Sequence, residues 1–172
     1  LLEAYPISIK LLSKVYETPA WGFKGDPFYN ACVSIKTKLK PKDLLEVLLK
    51  VEKTMGRLPS KGKGYSSRTI DLDLLFYKSK NIFSAKLKVP HPKLHKRNFV
   101  LAPLCEIAPK FIHPILFQTI EELFQKSSDQ TIAIPLTYDL GLPPIFESFP
   151  YIVIEGNIGV GKTTLAKLLA LN

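Results

Sequence analysis

The sequence predicts an α+β sandwich with a mostly antiparallel sheet, and three observations lead there. Strand-like and helix-like segments mix without the strict strand–helix–strand alternation of a parallel sheet. The 172 residues, 46% hydrophobic and 23% charged, are those of a globular protein with one ordinary core and a short addition, which excludes disordered and collagen-like chains. No apolar run approaches the roughly 18 residues that a membrane helix needs. Residues 1–6 carry neither an initiator Met nor the layout of a signal peptide. Cys32 and Cys105 offer no disulfide framework and no metal-ligand spacing, so free thiols in a cytoplasmic chain are expected.

The elements follow in order. Residues 9–18 are β-prone, and Pro19-Ala-Trp-Gly22 breaks the run. After the loop Lys24-Gly-Asp-Pro27, residues 28–39 read as a half-buried strand, with Ala31, Val33, Ile35 and Thr37 alternating with Cys32, Ser34 and Lys36. Pro41 opens a helix that Gly56 ends, with Asp43 in its first turn and a core stripe of Leu44, Leu48, Val51 and Met55. Residues 58–67, rich in Gly, Lys and Ser, read as an exposed loop. Residues 68–77 are the clearest strand. Val89-Pro-His-Pro92 reads as a rigid extended turn, residues 98–108 as a helix interrupted by Pro103, and residues 119–126 as a further short helix. Leu140-Gly-Leu-Pro-Pro144 signals a linker, and Tyr151-Ile-Val-Ile-Glu155 a compact apolar strand that feeds a glycine loop and a helix.

The net charge of +9 is unevenly spread: residues 1–35 balance to zero, residues 36–110 carry +12, and residues 111–172 carry −3. A basic block of this kind suits a polyanionic ligand, with a solvated lysine-rich surface as the plain alternative.

Arg68-Thr-Ile-Asp-Leu-Asp73 is the most informative stretch of the main body. On a strand, residues i and i+2 share a face, so Asp71 and Asp73 project together about 7 Å apart, while Ile70, Leu72 and Leu74 face the core. Two adjacent carboxylates repel unless cations lie between them. Paired hard oxygens suit Mg²⁺, which shares its other positions with water and phosphates; Arg68 can aim a planar charge at the same ligand. Paired Asp71 and nearby lysines on a polar strand face are the structural alternative. Trp21, Phe28, Tyr29, Tyr65 and Phe99 lie near glycines or polar loops, where aromatics can sandwich a flat heterocycle. Asn30, inside an apolar strand, is an amide able to read a ring's donor and acceptor pattern.

Phe28-Tyr-Asn30, Glu52 with Gly56-Arg57, Arg68-Thr-Ile-Asp-Leu-Asp73, Val89-Pro-His91, and Arg97-Asn-Phe-Val-Leu-Ala-Pro-Leu104 with Glu106-Ile-Ala-Pro109 keep an order and spacing that resemble the 6-hydroxymethyl-7,8-dihydropterin pyrophosphokinases of folate biosynthesis, over about residues 11–125. The resemblance implies a ferredoxin-like sandwich that transfers the terminal pyrophosphate of ATP to the pterin hydroxymethyl group and releases AMP. It implies two magnesium ions on Asp71 and Asp73, with Arg57 and Arg68 completing the catalytic set. Asn30 would read the pterin edge, Phe28 and Phe99 would stack on its faces, and Thr18 and Tyr65 would complete the pterin site. Arg57, Arg68, His91 and Arg97 would hold phosphates, with Glu52 near the nucleotide. Phe28 stands where a Tyr is familiar, and Tyr65 where a Trp is often found. His95 and His113 are expected to be surface or capping histidines. The partners implied are ATP and the pterin, with neither nucleic acid nor membrane.

Gly156-Asn-Ile-Gly-Val-Gly-Lys-Thr163 is a full Walker A signature between a strand and a helix. Its amides would cradle phosphates, with Gly156 and Gly161 shaping the loop, Lys162 reaching the β and γ positions and Thr163 holding Mg²⁺. The wording resembles the opening of deoxynucleoside kinases. The expected division is therefore a pterin pyrophosphokinase domain at 1–135, a linker at 136–149, and the start of a P-loop kinase unit at 150–172, without phosphotransfer of its own. The family's usual first strand does not precede Leu1, so the sheet is expected to be short of a member. The alternative is a P-loop nucleoside kinase whose N-terminal α+β module is regulatory or binds nucleic acid; the absence of an RNP aromatic pattern counts against RNA.

Overall fold

The β-branched run at residues 28–37 becomes the spine of the sheet. The structure is a computed structural model that describes residues 4–19, 27–56, 70–137 and 151–157. In chain order the elements are strands β1 (Ile7–Leu12), β2 (Tyr16–Thr18) and β3 (Phe28–Thr37), helix α1 (Pro41–Thr54), strands β4 (Asp71–Phe76), β5 (Ile82–Phe83) and β6 (Lys88–Val89), a 3₁₀ turn at Leu94–Lys96, helices α2 (Asn98–Ile107) and α3 (Ile120–Gln125), and strands β7 (Ile134–Pro135) and β8 (Tyr151–Asn157). The main sheet runs β4–β8–β3–β2–β7, with β1 also paired to β3, and every pairing is antiparallel. β5 and β6 form a separate hairpin.

Helices cover both faces of this sheet. On one face, Leu44, Leu48 and Val51 of α1 pack on Val33, Ile35, Ile70, Leu72 and Leu74. On the other, Val100, Leu101 and Leu104 of α2, with Ile120 and Leu123 of α3, pack on Cys32, Leu75 and Phe76. Each fully buried Leu or Ile contributes about 1.5–3 kcal/mol, so the two layers together supply the main drive to fold. β3 differs here from its expected half-burial: every residue from 30 to 35 is buried, because α2 covers the face that alternation alone assigns to solvent. In β4 a register shift between Leu74 and Phe76 turns Phe76 to the α2 side beside Leu75, so one strand feeds both cores.

The helix ends follow the sequence signals, with one exception. Pro41 stands at the start of α1, and Gly56, at φ +89°, closes it by donating its N–H to the Lys53 carbonyl. Thr119 and Glu122 form a reciprocal capping box at α3. The exception is Pro103, which does not interrupt α2; the helix runs through it, with the proline buried in the packed layer.

β8 overturns one expectation. The sheet is not short of an interior strand: residues 151–157 pair with β3 over the whole of β8 and with β4 on the other side. The strand assigned from sequence to a following unit thus lies within the sheet of the body. The loop at 58–67, Trp21 and the linker signal at 140–144 lie outside the described residues.

His113 caps, as expected, but it is not on the surface. It is 3% exposed, and its Nδ1 accepts the N–H groups of Ile115 and Leu116, each at 3.2 Å. Burial, and then the neighbouring His95, lower its pKa from 6.5 to about 4. The unfolded chain therefore binds the extra proton first, so stability present above pH 6.5 is lost as pH falls toward 4. Urea unfolding followed across this window should show a falling midpoint, and His113→Asn, whose Oδ1 can accept without titrating, should flatten the fall.

Candidate active site

Period two sorts β4 into chemistry and core. Leu72 and Leu74 are 5% and 4% exposed and face α1, while Asp71 and Asp73 are half-exposed on the α2 face. Asn30 is on that same face of β3, two residues before Cys32 of the α2-side core. The register places Asn30 opposite Glu155 of β8, and Glu155 opposite Asp71. Two inter-strand spacings of about 4.8 Å put Asn30 and Asp71 about 10 Å apart across β8.

Asn30 is held in one orientation. Its Nδ2 donates to the Thr18 hydroxyl at 3.0 Å, and both residues are buried. Its Oδ1 is buried and has no hydrogen-bond partner among the described residues. A buried acceptor left in that state costs about 1–3 kcal/mol, a cost that a ligand donor removes. Phe28 is half-buried at the start of β3, on the same face. Tyr29 points the other way in sequence terms and donates its hydroxyl to Glu17 at 3.0 Å, so an intramolecular contact accounts for it.

The third side of the site comes from the segment before and within α2. His91 follows a cis Val89–Pro90 bond, and its N–H donates to the Leu75 carbonyl at 2.8 Å, which stitches it to β4. Its pKa is lowered, chiefly by burial; Asp73 and Asp71 oppose the shift, while Arg97 and Lys93 add to it. The same balance shows that His91, both aspartates and Arg97 share one electrostatic neighbourhood. His91 Nδ1 is buried and has no hydrogen-bond partner among the described residues. The Arg97 guanidinium carbon stands 5.4 Å from the centre of the Phe99 ring, a cation–π contact. Phe99 is half-buried against the α2-side core.

Glu52 has a structural post beside the site. It is 1% exposed on α1, and its Oε1 accepts the Leu72 N–H at 2.7 Å. Among the described strands β4 ends the sheet order, so this carboxylate satisfies a backbone donor between the two aspartates that none of those strands reaches. Glu106 does similar work at the far end of α2, accepting from the Tyr16 hydroxyl at 2.9 Å and from the Lys14 N–H at 3.1 Å.

The structure thus brings together Thr18, Phe28, Asn30, Asp71, Asp73, His91, Arg97 and Phe99, with Glu52 behind them. Arg57, Tyr65, Arg68, Gly161, Lys162 and Thr163 lie outside the described residues, and Gly156 is described as the backbone of β8. Among the described residues no group of three or more His, Cys, Asp or Glu side chains could cage a metal ion. Two carboxylates on one strand face suit a hard cation that keeps waters and takes its remaining oxygens from a bound phosphate, as Mg²⁺ does. Sequence reasoning missed β8 as the strand that separates Asn30 from Asp71, because a short apolar strand does not name its neighbours. It also missed Asp129, whose one signal is the Asp-x-Thr turn pattern at 129–131.

The sequence profile of the 7,8-dihydro-6-hydroxymethylpterin-pyrophosphokinase (HPPK) family matches residues 1–109. The chain is 44% identical over 117 residues to the 2-amino-4-hydroxy-6-hydroxymethyldihydropteridine pyrophosphokinase of Aquifex aeolicus, an alignment covering 67% of this chain and 72% of that protein. It is 37% identical over 120 residues to the enzyme of the same name from Synechocystis sp., covering 70% of this chain and 60% of the relative. With the folate synthesis bifunctional protein of Arabidopsis thaliana it shares 45% identity over 108 residues, 62% of this chain and 22% of that longer protein.

Removing the Glu52 carboxylate should destabilise the strand that carries the aspartates. Glu52→Ala strands the Leu72 N–H and opens a void, so a loss of about 2–4 kcal/mol is expected in chemical denaturation. Glu52→Gln keeps an acceptor and should lose less than half as much; equal losses would show that the hydrogen bond to Leu72 is not what Glu52 supplies.

Proposed function

Because the chain belongs to the 7,8-dihydro-6-hydroxymethylpterin-pyrophosphokinase family, we propose that this protein transfers the terminal pyrophosphate of ATP to 6-hydroxymethyl-7,8-dihydropterin. One observation carries the reading furthest. Asn30, with a buried acceptor awaiting a donor, and the Asp71–Asp73 pair stand on one sheet face, on either side of β8. A flat heterocycle bound at Asn30 has its substituent within reach of a polyphosphate bound at the aspartates.

In this reading each residue has a task. Thr18 fixes the Asn30 amide so that Oδ1 accepts from an N–H on the pterin edge. Phe28 and Phe99 pack on the ring faces. Arg97 and His91 donate to phosphate oxygens, joined by Arg57 and Arg68 from sequence, while Tyr65 closes on the pterin. The pterin hydroxymethyl oxygen forms a bond to the β-phosphorus as the bond from that phosphorus to the α–β bridging oxygen breaks. AMP leaves with the bridging oxygen, and the hydroxyl proton passes to solvent. The protein's contribution is in-line placement and charge neutralisation, with no covalent intermediate. Asp71 and Asp73 would hold magnesium, two ions in this reading, which offsets the phosphate charge when bound. The reaction belongs to folate biosynthesis in the cytoplasm.

A second reading rests on the Walker A signature at 156–163. Its wording supports a bifunctional protein in which a deoxynucleoside kinase follows the pyrophosphokinase, with residues 136–149 as the linker and residues 150–172 as the start of that unit, whose strand β8 is also paired into the sheet of the body.

One assay separates the two activities by product. ATP and Mg²⁺ should give AMP only when 6-hydroxymethyl-7,8-dihydropterin is present, and Asp71→Asn or Asp73→Asn should each lower turnover at least about hundredfold while leaving the thermal transition in place. Pterin-independent AMP release, or near-normal rates in either variant, would sink the first reading. ADP formed by this chain on addition of a deoxynucleoside would contradict the expectation that residues 150–172 carry no phosphotransfer of their own.

A further inference from the structure

α2 begins without a cap of its own. The residue ahead of it, Arg97, makes no side-chain capping bond, yet Arg97 and Phe99 stand at this helix start, the guanidinium over the ring and close enough to His91 to act on its charge. The missing cap comes from far along the chain. Asp129 Oδ2 accepts the Asn98 N–H at 2.7 Å, and the Asn98 amide donates back to the carbonyls of Asp129 and Thr131. The second carboxylate oxygen is also engaged: Asp129 Oδ1 accepts from the Thr131 N–H at 2.9 Å and from its hydroxyl at 2.6 Å. A carboxylate at a helix N-terminus satisfies an orphan donor and complements the helix dipole.

The segment that carries Asp129 reaches the opposite side of the pterin site. Five residues on, β7 pairs with Tyr16 and Glu17 of β2, and the Leu136 N–H donates to the Val15 carbonyl at 2.8 Å. β2 ends in Thr18, the partner of Asn30. One strap, residues 129–136, therefore ties the helix start that bears Arg97 and Phe99 to the strand that orients Asn30.

Resting on the pterin pyrophosphokinase reading, we propose that Asp129 is a positioning residue of the pterin site, which sets Phe99 and Arg97 by clamping the first residue of α2. Asp129 touches neither substrate and acts through Asn98. Burial raises its pKa, but the Thr131 hydroxyl and the N–H groups of Asn98 and Thr131 outweigh burial, and the net direction is down. The clamp is thus anionic across the neutral range.

The test compares wild type, Asp129→Ala, Asp129→Asn and Thr131→Val in the full chain, by steady-state kinetics and by calorimetric titration of the pterin in the presence of Mg²⁺ and a non-hydrolysable ATP analogue. Loss of one charge-assisted cap bond corresponds to about a tenfold change in an equilibrium. Asp129→Ala should weaken pterin binding and raise its KM about tenfold, with kcat at saturation within about threefold. Asp129→Asn, which keeps an acceptor for Asn98, should recover most of the affinity. Thr131→Val frees one carboxylate oxygen without removing the clamp and should give a smaller rise in pterin KM, which decides the matter if Asp129→Ala fails to fold. Unchanged pterin affinity in Asp129→Ala or Thr131→Val, with only a lower melting temperature, would overturn the proposal and leave Asp129 a helix cap alone. Wild-type protein that binds no pterin would instead overturn the function on which the proposal rests.

Discussion

β8 is the strand on which the site depends. Asn30 lies on β3 and the two aspartates on β4, and β8 is hydrogen-bonded to both. In a sheet covered by helices on both faces, backbone donors and acceptors find partners only along the ladder. The double pairing therefore fixes the distance between the residue that reads a ring and the residues that hold a cation, at two strand spacings. It fixes their face as well, because a slip of one residue would turn every side chain of a strand over.

Around that constraint, one simple alternation separates core from chemistry. Leu72 and Leu74 go to the α1 layer; Asp71 and Asp73 go to the α2 side and stay partly exposed. Where β4 runs under α2, the register shift after Leu74 lets Leu75 and Phe76 both enter the second core. α2 is secured at both ends, by Asp129 at its start and by Glu106 near its end, and each contact reaches a segment that also supports β2. Buried polar groups such as Glu52 and His113 have backbone donors to satisfy. Among the described residues Asn30 Oδ1 and His91 Nδ1 have no hydrogen-bond partner, a condition that Ser34 Oγ and Asn98 Oδ1 share, so it is the place of Asn30 and His91 beside the aspartates that suits them to a ligand.

Much of this was legible in the sequence, for stated physical reasons. The Asp-x-Asp spacing on a strand gave the shared face, the 3.6-residue stripe of α1 gave its buried side, and Thr119 with Glu122 gave a helix start. The burial of β3 on both faces was not legible, since alternation cannot show that a distant helix will cover the polar side. Pro103 misled because a proline costs a helix only the hydrogen bond it cannot make and the clash it causes, and packing of α2 between β3 and α3 outweighs both. Least legible of all was β8: its apolar run announces a strand, but nothing local says which strands it joins. Asp129 was hidden for the same reason, since its partner lies 31 residues away.

The basic block at residues 36–110 also takes on a narrower sense. Arg97 and His91 belong to it, and His91 feels the charge of Arg97 and of both aspartates, while Lys38, Lys78 and Lys80 are exposed. The most direct test of the arrangement is amide hydrogen exchange resolved along the chain. If β8 is the interior strand that joins the two halves of the site, the amides of residues 152–155 exchange as slowly as those of Val33 and Ile35 in β3. Exchange at residues 152–155 near the rate of an open chain, with β3 still protected, would contradict it.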